Sequence, residues 1–241
     1  MRVGLVGAGR LGTALACRLP ARIGWIADID RRRAEVLARE VSALAVSSDE
    51  LFRDCRVILL AVPPAAVETL MVESGSRLAA DAVVFDLATG VDTKRLRRRG
   101  LPPSGRLAGL KPIVQAYAFG HGAGAVFVLD PEDRDLRDVA AGIVEPAGSV
   151  VIGDTARVRE INNAATRAAL RLVYELQSEI RPLSMDPQWI AAALHTVAAG
   201  TIQDWPPGQP NDYLRDRLRE LNLCCDWSAG TVEPAAGNGR P

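Results

Sequence analysis

The chain has 241 residues, nearly half of them hydrophobic, with 29 basic and 29 acidic side chains and a formal net charge of zero. That is enough apolar material for a sizeable core, and the charge balance argues against a general electrostatic grip on nucleic acid or an anionic membrane. No apolar run reaches the roughly 18 residues that a membrane-spanning helix needs. The short run Val3 to Val6 passes straight into glycines without a basic leader, so a cytoplasmic protein is expected. Cys17, Cys55, Cys224 and Cys225 form no CxxC pair, and His121 and His195 lie far from them in sequence. No metal site is expected, and the thiols read as reduced.

In chain order, Arg2 to Val6 reads as a buried strand and Leu11 to Leu19 as a helix stopped near Pro20. Arg22 to Ala27 is a second strand. Arg31 to Val41 is a helix with apolar Ala34, Leu37, Ala38 and Val41 on one face. A third strand lies near Ala43 to Val46. Val57 to Val62 and Ala82 to Leu87 are further strands, with a helix from Ala65 to Met71 between them. Leu107 to Leu110 and Ala125 to Leu129 each add a candidate strand. Strands alternating with helices imply crossover connections, hence an α/β fold with a doubly wound, mainly parallel sheet.

The pattern changes after Gly153. Thr155 to Ile180 reads as one long helix, with Val158, Ile161, Ala165, Ala168, Leu172 and Leu176 at helical spacing and Pro182 as its stop. Asp186 caps a second helix with Pro187 at its first position, running to about Thr201. Asn211 or Asp212 starts a third, through Leu221. Ser228 to Pro241, rich in Gly, Pro and Ala, is expected to be a loose tail. The expected organisation is a sheet domain over residues 1–153, a small all-helical substrate and dimerisation domain over 154–225, and a tail over 226–241.

The strongest motif is Gly7-Ala8-Gly9-Arg10-Leu11-Gly12. It closes the first strand and opens the first helix, the context in which GxGxxG marks a Rossmann dinucleotide site. Gly7 permits the tight turn, Gly9 lets the backbone approach a pyrophosphate, and Gly12 lets helix and strand pack closely. The helix then aims its free N–H groups and positive dipole end at the phosphates. At the end of the second strand, Asp28 is placed to accept from a ribose 2′-hydroxyl, which favours NAD. Arg31, Arg32 and Arg33 pull towards a 2′-phosphate and NADP as the alternative. Val62 and Pro63 end the fourth strand, where Pro63 would stiffen a loop beside the nicotinamide ribose.

Gly4-Leu5-Val6-Gly7-Ala8-Gly9-Arg10-Leu11-Gly12 resembles the opening of the β-hydroxyacid dehydrogenases, within the 6-phosphogluconate dehydrogenase superfamily. Asp86-Leu87-Ala88-Thr89 resembles the family's Asp-x-Ser-Thr strand end, which adds Thr89 to the cofactor residues. Gly124-Ala125-Val126-Phe127-Val128 is similar to its Gly-Thr-Leu strand. Gly153 followed by Arg159-Glu160-Ile161-Asn162-Asn163 looks like its catalytic helix, where the family shows Lys-x-x-Asn-Asn. Here Arg159 stands at the lysine position, and Leu110-Lys111-Pro112-Ile113-Val114-Gln115-Ala116 replaces the family's substrate loop. Pyrroline-5-carboxylate reductases and imine reductases share similar architecture and also lack that lysine.

Arg159 and Asn163 lie four apart and share a helix face, with Thr166 and Arg167 one turn on. Asn163 is expected to orient a carbonyl, imine or carboxylate, and Arg159 to hold a substrate carboxylate as a bidentate fork. Guanidinium is a poor acid. Reduction of a carbonyl needs a proton donor, for which Lys111 is the candidate, with Tyr174 and His195 as alternatives; an imine can arrive already protonated. The expectation is an NAD(P)-dependent oxidoreductase acting on a small imine, ketone or hydroxyacid, as a homodimer. A non-catalytic dinucleotide sensor is the alternative.

Overall fold

The computed structural model describes residues 3–183, 186–203, 212–221, 223–226 and 231–234. Strands β1 (Val3–Val6), β2 (Ile23–Ala27), β3 (Leu44–Ala45), β4 (Val57–Leu60), β5 (Val83–Asp86), β6 (Arg106–Ile113), β7 (Ala125–Leu129) and β8 (Gly148–Ile152) build one sheet in the order 3-2-1-4-5-6-7-8. β1 to β6 run parallel. β7 turns back antiparallel to β6, and β8 runs parallel to β7. The mainly parallel sheet is thus wider than the sequence pattern suggests, and β6 runs three residues past the expected Leu110.

Alternate residues on the central strands feed two separate cores, the period-2 consequence of a sheet covered on both faces. Val3 and Leu5 of β1, Val57 and Leu59 of β4 and Phe85 of β5 pack into one. Val6, Ile58, Leu60 and Val84 pack into the other. Each such Leu or Phe, fully removed from water, contributes about 1.5–3 kcal/mol. The cores are covered by α1 (Arg10–Arg18), α2 (Arg31–Glu40), α3 (Ser48–Asp54), α4 (Pro64–Glu73), α5 (Thr93–Arg98), α6 (Ala116–Gly120) and α7 (Arg137–Val144). Residues of α1, α2 and α7 belong to the first core, those of α3 and α4 to the second.

The long helix α8 spans Ala156–Ile180, as the periodicity predicts. The chain divides into two compact units within it, the first ending at Thr166 and the second beginning at Arg167. In the second unit, α9 (Pro187–Ala192) starts as expected: the Asp186 carboxylate accepts from the Gln188 amide, and Pro187 occupies the first turn. A stretch of π-helix, Ala193–Ala198, and α10 (Ala199–Gln203) continue it, and α11 covers Asp212–Glu220. Asn211, the alternative start of that helix, lies outside the described residues. A two-stranded antiparallel ladder, β9 (Leu223–Asp226) with β10 (Thr231–Pro234), adds sheet to a region read as helix and loose tail. Among the described residues, no helix is long and apolar enough to cross a membrane.

Candidate active site

The strand order reverses between β1 and β4, and in an open parallel sheet ligands bind beyond the strand ends at such a point. Gly7 stands there with φ of +106°. A Cβ on it would collide with the Ala61 carbonyl at the end of β4. A Cβ on Gly12 would collide with the Gly7 carbonyl, so helix and turn touch backbone to backbone. Gly9 differs: nothing lies within 4 Å of its Cβ direction, and its φ of −77° is ordinary. Among the described residues, its lack of a side chain serves no packing and leaves an open face over the start of α1. That helix has no side-chain cap and no acidic residue in its first turn. Unsatisfied N–H groups and a positive dipole end beside an open glycine fit a pyrophosphate.

Asp28 supports this turn from the end of β2. Its Oδ2 accepts from the Ala8 amide at 2.6 Å and its Oδ1 from the Asp30 amide at 2.8 Å. Asp30 in turn caps α2 by accepting from the Arg32 and Arg33 amides. Ala8, Thr13, Asp30, Arg32 and Arg33 line a cavity here. Arg31 pairs with Glu35 and Arg33 with Asp30, whereas Arg32 makes no ion pair among the described residues.

Two further cavities open at the carboxyl ends of β4, β5 and β6. One, of about 290 Å³, is mostly apolar and includes Leu11, Val62, Pro64, Ala88, Pro112 and Asn162 in its walls. The other, of about 350 Å³, is more polar and includes Thr93, Lys94, Arg98, Asp154 and Arg159. Thr89 lines both. Lys94 is held by Asp130 at 2.9 Å and Glu132 at 3.5 Å, and these contacts raise its pKa, the Asp130 hydrogen bond most. Arg98 is only loosely approached by Asp92 at 3.9 Å, and Arg159 makes no ion pair among the described residues.

Leu11, Val62, Thr89 and Arg159 therefore line cavities, while Pro63 and Arg10 are exposed nearby. Asn163 is exposed and lies outside the lining of both cavities; its neighbour Asn162 lines the apolar one, its Nδ2 donating to the Pro112 carbonyl at 3.0 Å. Residues three and four apart share a helix face equally well, so spacing from Arg159 cannot choose between the two asparagines. Lys111 is 1% exposed. Its Nζ donates to Asp86 Oδ2 at 2.5 Å and to the Ala88 carbonyl at 2.7 Å. Burial pulls its pKa below the usual lysine value, and the Asp86 carboxylate opposes that. An ammonium sealed between two acceptors does not face a substrate. Tyr174 and His195 belong to the second unit, where both are exposed.

Turn, switch point and cavities together define a Rossmann-type dinucleotide-binding fold. Residues 2–90, which carry β1 to β5, match the family described as NADP oxidoreductase, coenzyme F420-dependent. A pyrroline-5-carboxylate reductase from Coxiella burnetii superposes with a TM-score of 0.71 at 16% identity, covering 91% of this chain and 83% of that one. An imine reductase from Myxococcus stipitatus, in complex with NADP+, gives 0.63 at 14%, covering 94% and 80%. A 3-hydroxyisobutyrate dehydrogenase from Mycobacterium tuberculosis gives 0.61 at 14%, covering 81% and 70%. Comparison with curated proteins finds no match. The fold is thus the one that the resemblance to the β-hydroxyacid dehydrogenases and their imine-reducing relatives implies.

Proposed function

We propose that the protein is a nicotinamide-dependent oxidoreductase that reduces a small imine or ketone, or oxidises a small hydroxyacid, with NADP as its cofactor. The observation that carries this reading is the open face at Gly9 over the uncapped start of α1, with an apolar cavity at the neighbouring strand ends. When bound, the nicotinamide supplies or accepts the hydride.

The chain's own residues account for the rest. The first amides of α1 would hold the pyrophosphate. Leu11, Val62, Ala88 and Pro112 would wall the nicotinamide ring from water. Arg159 and Arg98, on the more polar cavity, would grip a substrate carboxylate as charge-assisted forks. Asn162 spends one amide N–H on Pro112, which fixes its side chain and leaves its Oδ1 to accept from a protonated imine or a hydroxyl. With Lys111 sealed and Arg159 unable to give up its proton, an imine that arrives protonated fits this site better than a neutral ketone.

The choice of NADP rests on three supports. The matching family is described as NADP oxidoreductases, and the similar imine reductase holds NADP+. Both Asp28 oxygens already accept backbone N–H groups, which ties the carboxylate to the glycine turn, while Arg32, on the cavity that Ala8 and Asp30 also line, makes no ion pair among the described residues. We also place the protein in the cytoplasm as a homodimer. Reduced thiols at Cys17 and Cys55 suit the compartment, and exposed apolar side chains on the second unit suit the pairing.

Isothermal titration with NADPH and NADH is the test. Micromolar NADPH binding is expected, and Arg32→Ala should weaken it about tenfold, or about 1.4 kcal/mol, while leaving NADH unchanged. NADPH oxidation with a panel of cyclic imines, oxoacids and hydroxyacids then follows. Binding of neither dinucleotide sinks the proposal; equal loss for both cofactors in the variant sinks the choice of NADP.

A further inference from the structure

The apolar cavity has one wall made by the chain as it leaves β5, and the chemistry that shapes this wall is unusual. Asp86 is the last residue of β5 paired with β6. Leu87 still donates to Leu60 of β4 at 3.1 Å. Ala88, the next residue, has left the ladder, and its amide and carbonyl need other partners. Asp86 Oδ1 accepts from the Ala88 amide at 2.9 Å, and Lys111 Nζ donates to the Ala88 carbonyl at 2.7 Å. The second lone pair of that carbonyl takes the Val91 amide at 3.1 Å, closing a turn over residues 88–91. The Asp86 and Lys111 side chains are themselves joined at 2.5 Å, and Thr93 adds its hydroxyl to the same Asp86 oxygen at 3.0 Å.

One buried ion pair therefore grips both polar groups of a single backbone residue. The two residues inside the turn it anchors are Thr89, which lines both cavities, and Gly90, which lines the more polar one. A hydrophobic pair of similar volume at 86 and 111 would spare the desolvation of two charges. It would leave the Ala88 amide without its acceptor and the Ala88 carbonyl with the Val91 amide alone, and the turn less firmly fixed.

We propose that the Asp86–Lys111 pair positions this turn, and so sets where Thr89 meets the nicotinamide half of the cofactor. Lys111 is thereby a positioning residue that acts through Ala88. This inference rests on the function proposed above. It makes a claim that general stability does not: loss of the pair weakens the nicotinamide end and spares the adenosine end, which is held by the glycine turn and α2, both well before β5 in the chain.

The test uses the full chain with NADPH and with 2′-phospho-ADP-ribose, which lacks the nicotinamide. In Lys111→Met, Kd for NADPH should rise about tenfold while Kd for 2′-phospho-ADP-ribose stays within about twofold. The emission shift of bound NADPH relative to free NADPH should shrink. Thr93→Val removes one hydroxyl from the same Asp86 oxygen and leaves no buried charge unpaired. It should shift the ratio of the two constants in the same sense, by about threefold, and it decides the matter if Lys111→Met does not fold. An unchanged ratio, whether both ligands weaken together or neither does, overturns the positioning role. Failure of the wild-type chain to bind either ligand overturns the proposed function and this role with it.

Discussion

The three glycines of one turn are not glycine for the same reason, and single substitutions separate the two cases. Gly12 and Gly7 are demanded by the chain's own backbone, because a methyl group on either would strike a carbonyl oxygen. Gly9 has no such conflict and an ordinary φ. Gly9→Ala should therefore fold with its melting temperature unchanged to within about 2 °C. Its affinity for NADPH should nonetheless fall at least tenfold, since the methyl group occupies the space that a phosphate needs. Gly12→Ala should lose both, with melting lowered by several degrees. A Gly9→Ala variant that binds NADPH like wild type would remove the pyrophosphate from this turn. The sequence motif carries all three roles in its spacing, because the steric demands are local. Lys111 is the opposite case. Its strand is legible, but the strand runs on to Ile113, so Lys111 sits within it rather than at its end, and its burial is decided by Asp86, 25 residues earlier on the neighbouring strand. No local pattern distinguishes a lysine that faces a ligand from one that closes a backbone turn.

At the scale of elements, the strands and long helices follow from hydrophobic period, and the short helices do not. α3 is seven residues long and α5 six, too short for a period of 3.6 to declare itself. What marks them is capping: Ser47 and Glu50 form a reciprocal capping box, and Asp92 accepts from the Arg95 amide. Those signals stand in the sequence and locate the helix starts better than apolar spacing does. β8 is missed for another reason. Gly148-Ser-Val-Val-Ile152 has the form of a strand, but its pairing depends on β7 reversing direction, which no local feature announces. The joint between α5, β6 and the segment before α7 is an ion network: buried Asp133 meets Arg97 at 2.6 Å and Arg106 at 2.8 Å, and Arg106 also holds Asp135. The Arg106 guanidinium keeps the Asp135 carboxyl below its ordinary pKa of 3.8. A carboxyl with a lowered folded-state pKa stabilises the fold above its unfolded pKa, and that contribution is lost as pH falls through the folded value. Asp135→Asn should therefore melt slightly below wild type at about pH 6, and the gap should narrow as the pH falls below about 4, where the unfolded carboxyl takes up its proton first. A gap that is constant with pH would show that the pair contributes nothing through its charge.

For the whole molecule, the two units differ in how they treat apolar surface. The first buries it in two cores around the sheet. In the second, Leu170 and Tyr174 on α8, Trp189 on α9, Val197 in the π-helical stretch and Ile202 on α10 are all more than half exposed. On the homodimer proposed above, these exposed apolar side chains are the surface that the partner covers. A second copy is the occupant that needs no further gene product, and a two-fold pairing of such helices can bury the roughly 1,200–2,000 Å² typical of a stable interface. Light scattering should then give twice the chain mass at micromolar concentration, and the melting temperature should rise with protein concentration by mass action. Replacing both Leu170 and Trp189 with Glu puts two charges per subunit where apolar contact is expected, and should yield monomers. Because the glycine turn, Asp28 and both cavities lie within the first unit, those monomers should still bind NADPH within about threefold of wild type. A loss of turnover at preserved NADPH affinity would then locate the second unit's contribution in the substrate step rather than in cofactor binding. Wild-type chains that scatter as monomers at that concentration would instead leave the exposed helices to a different partner.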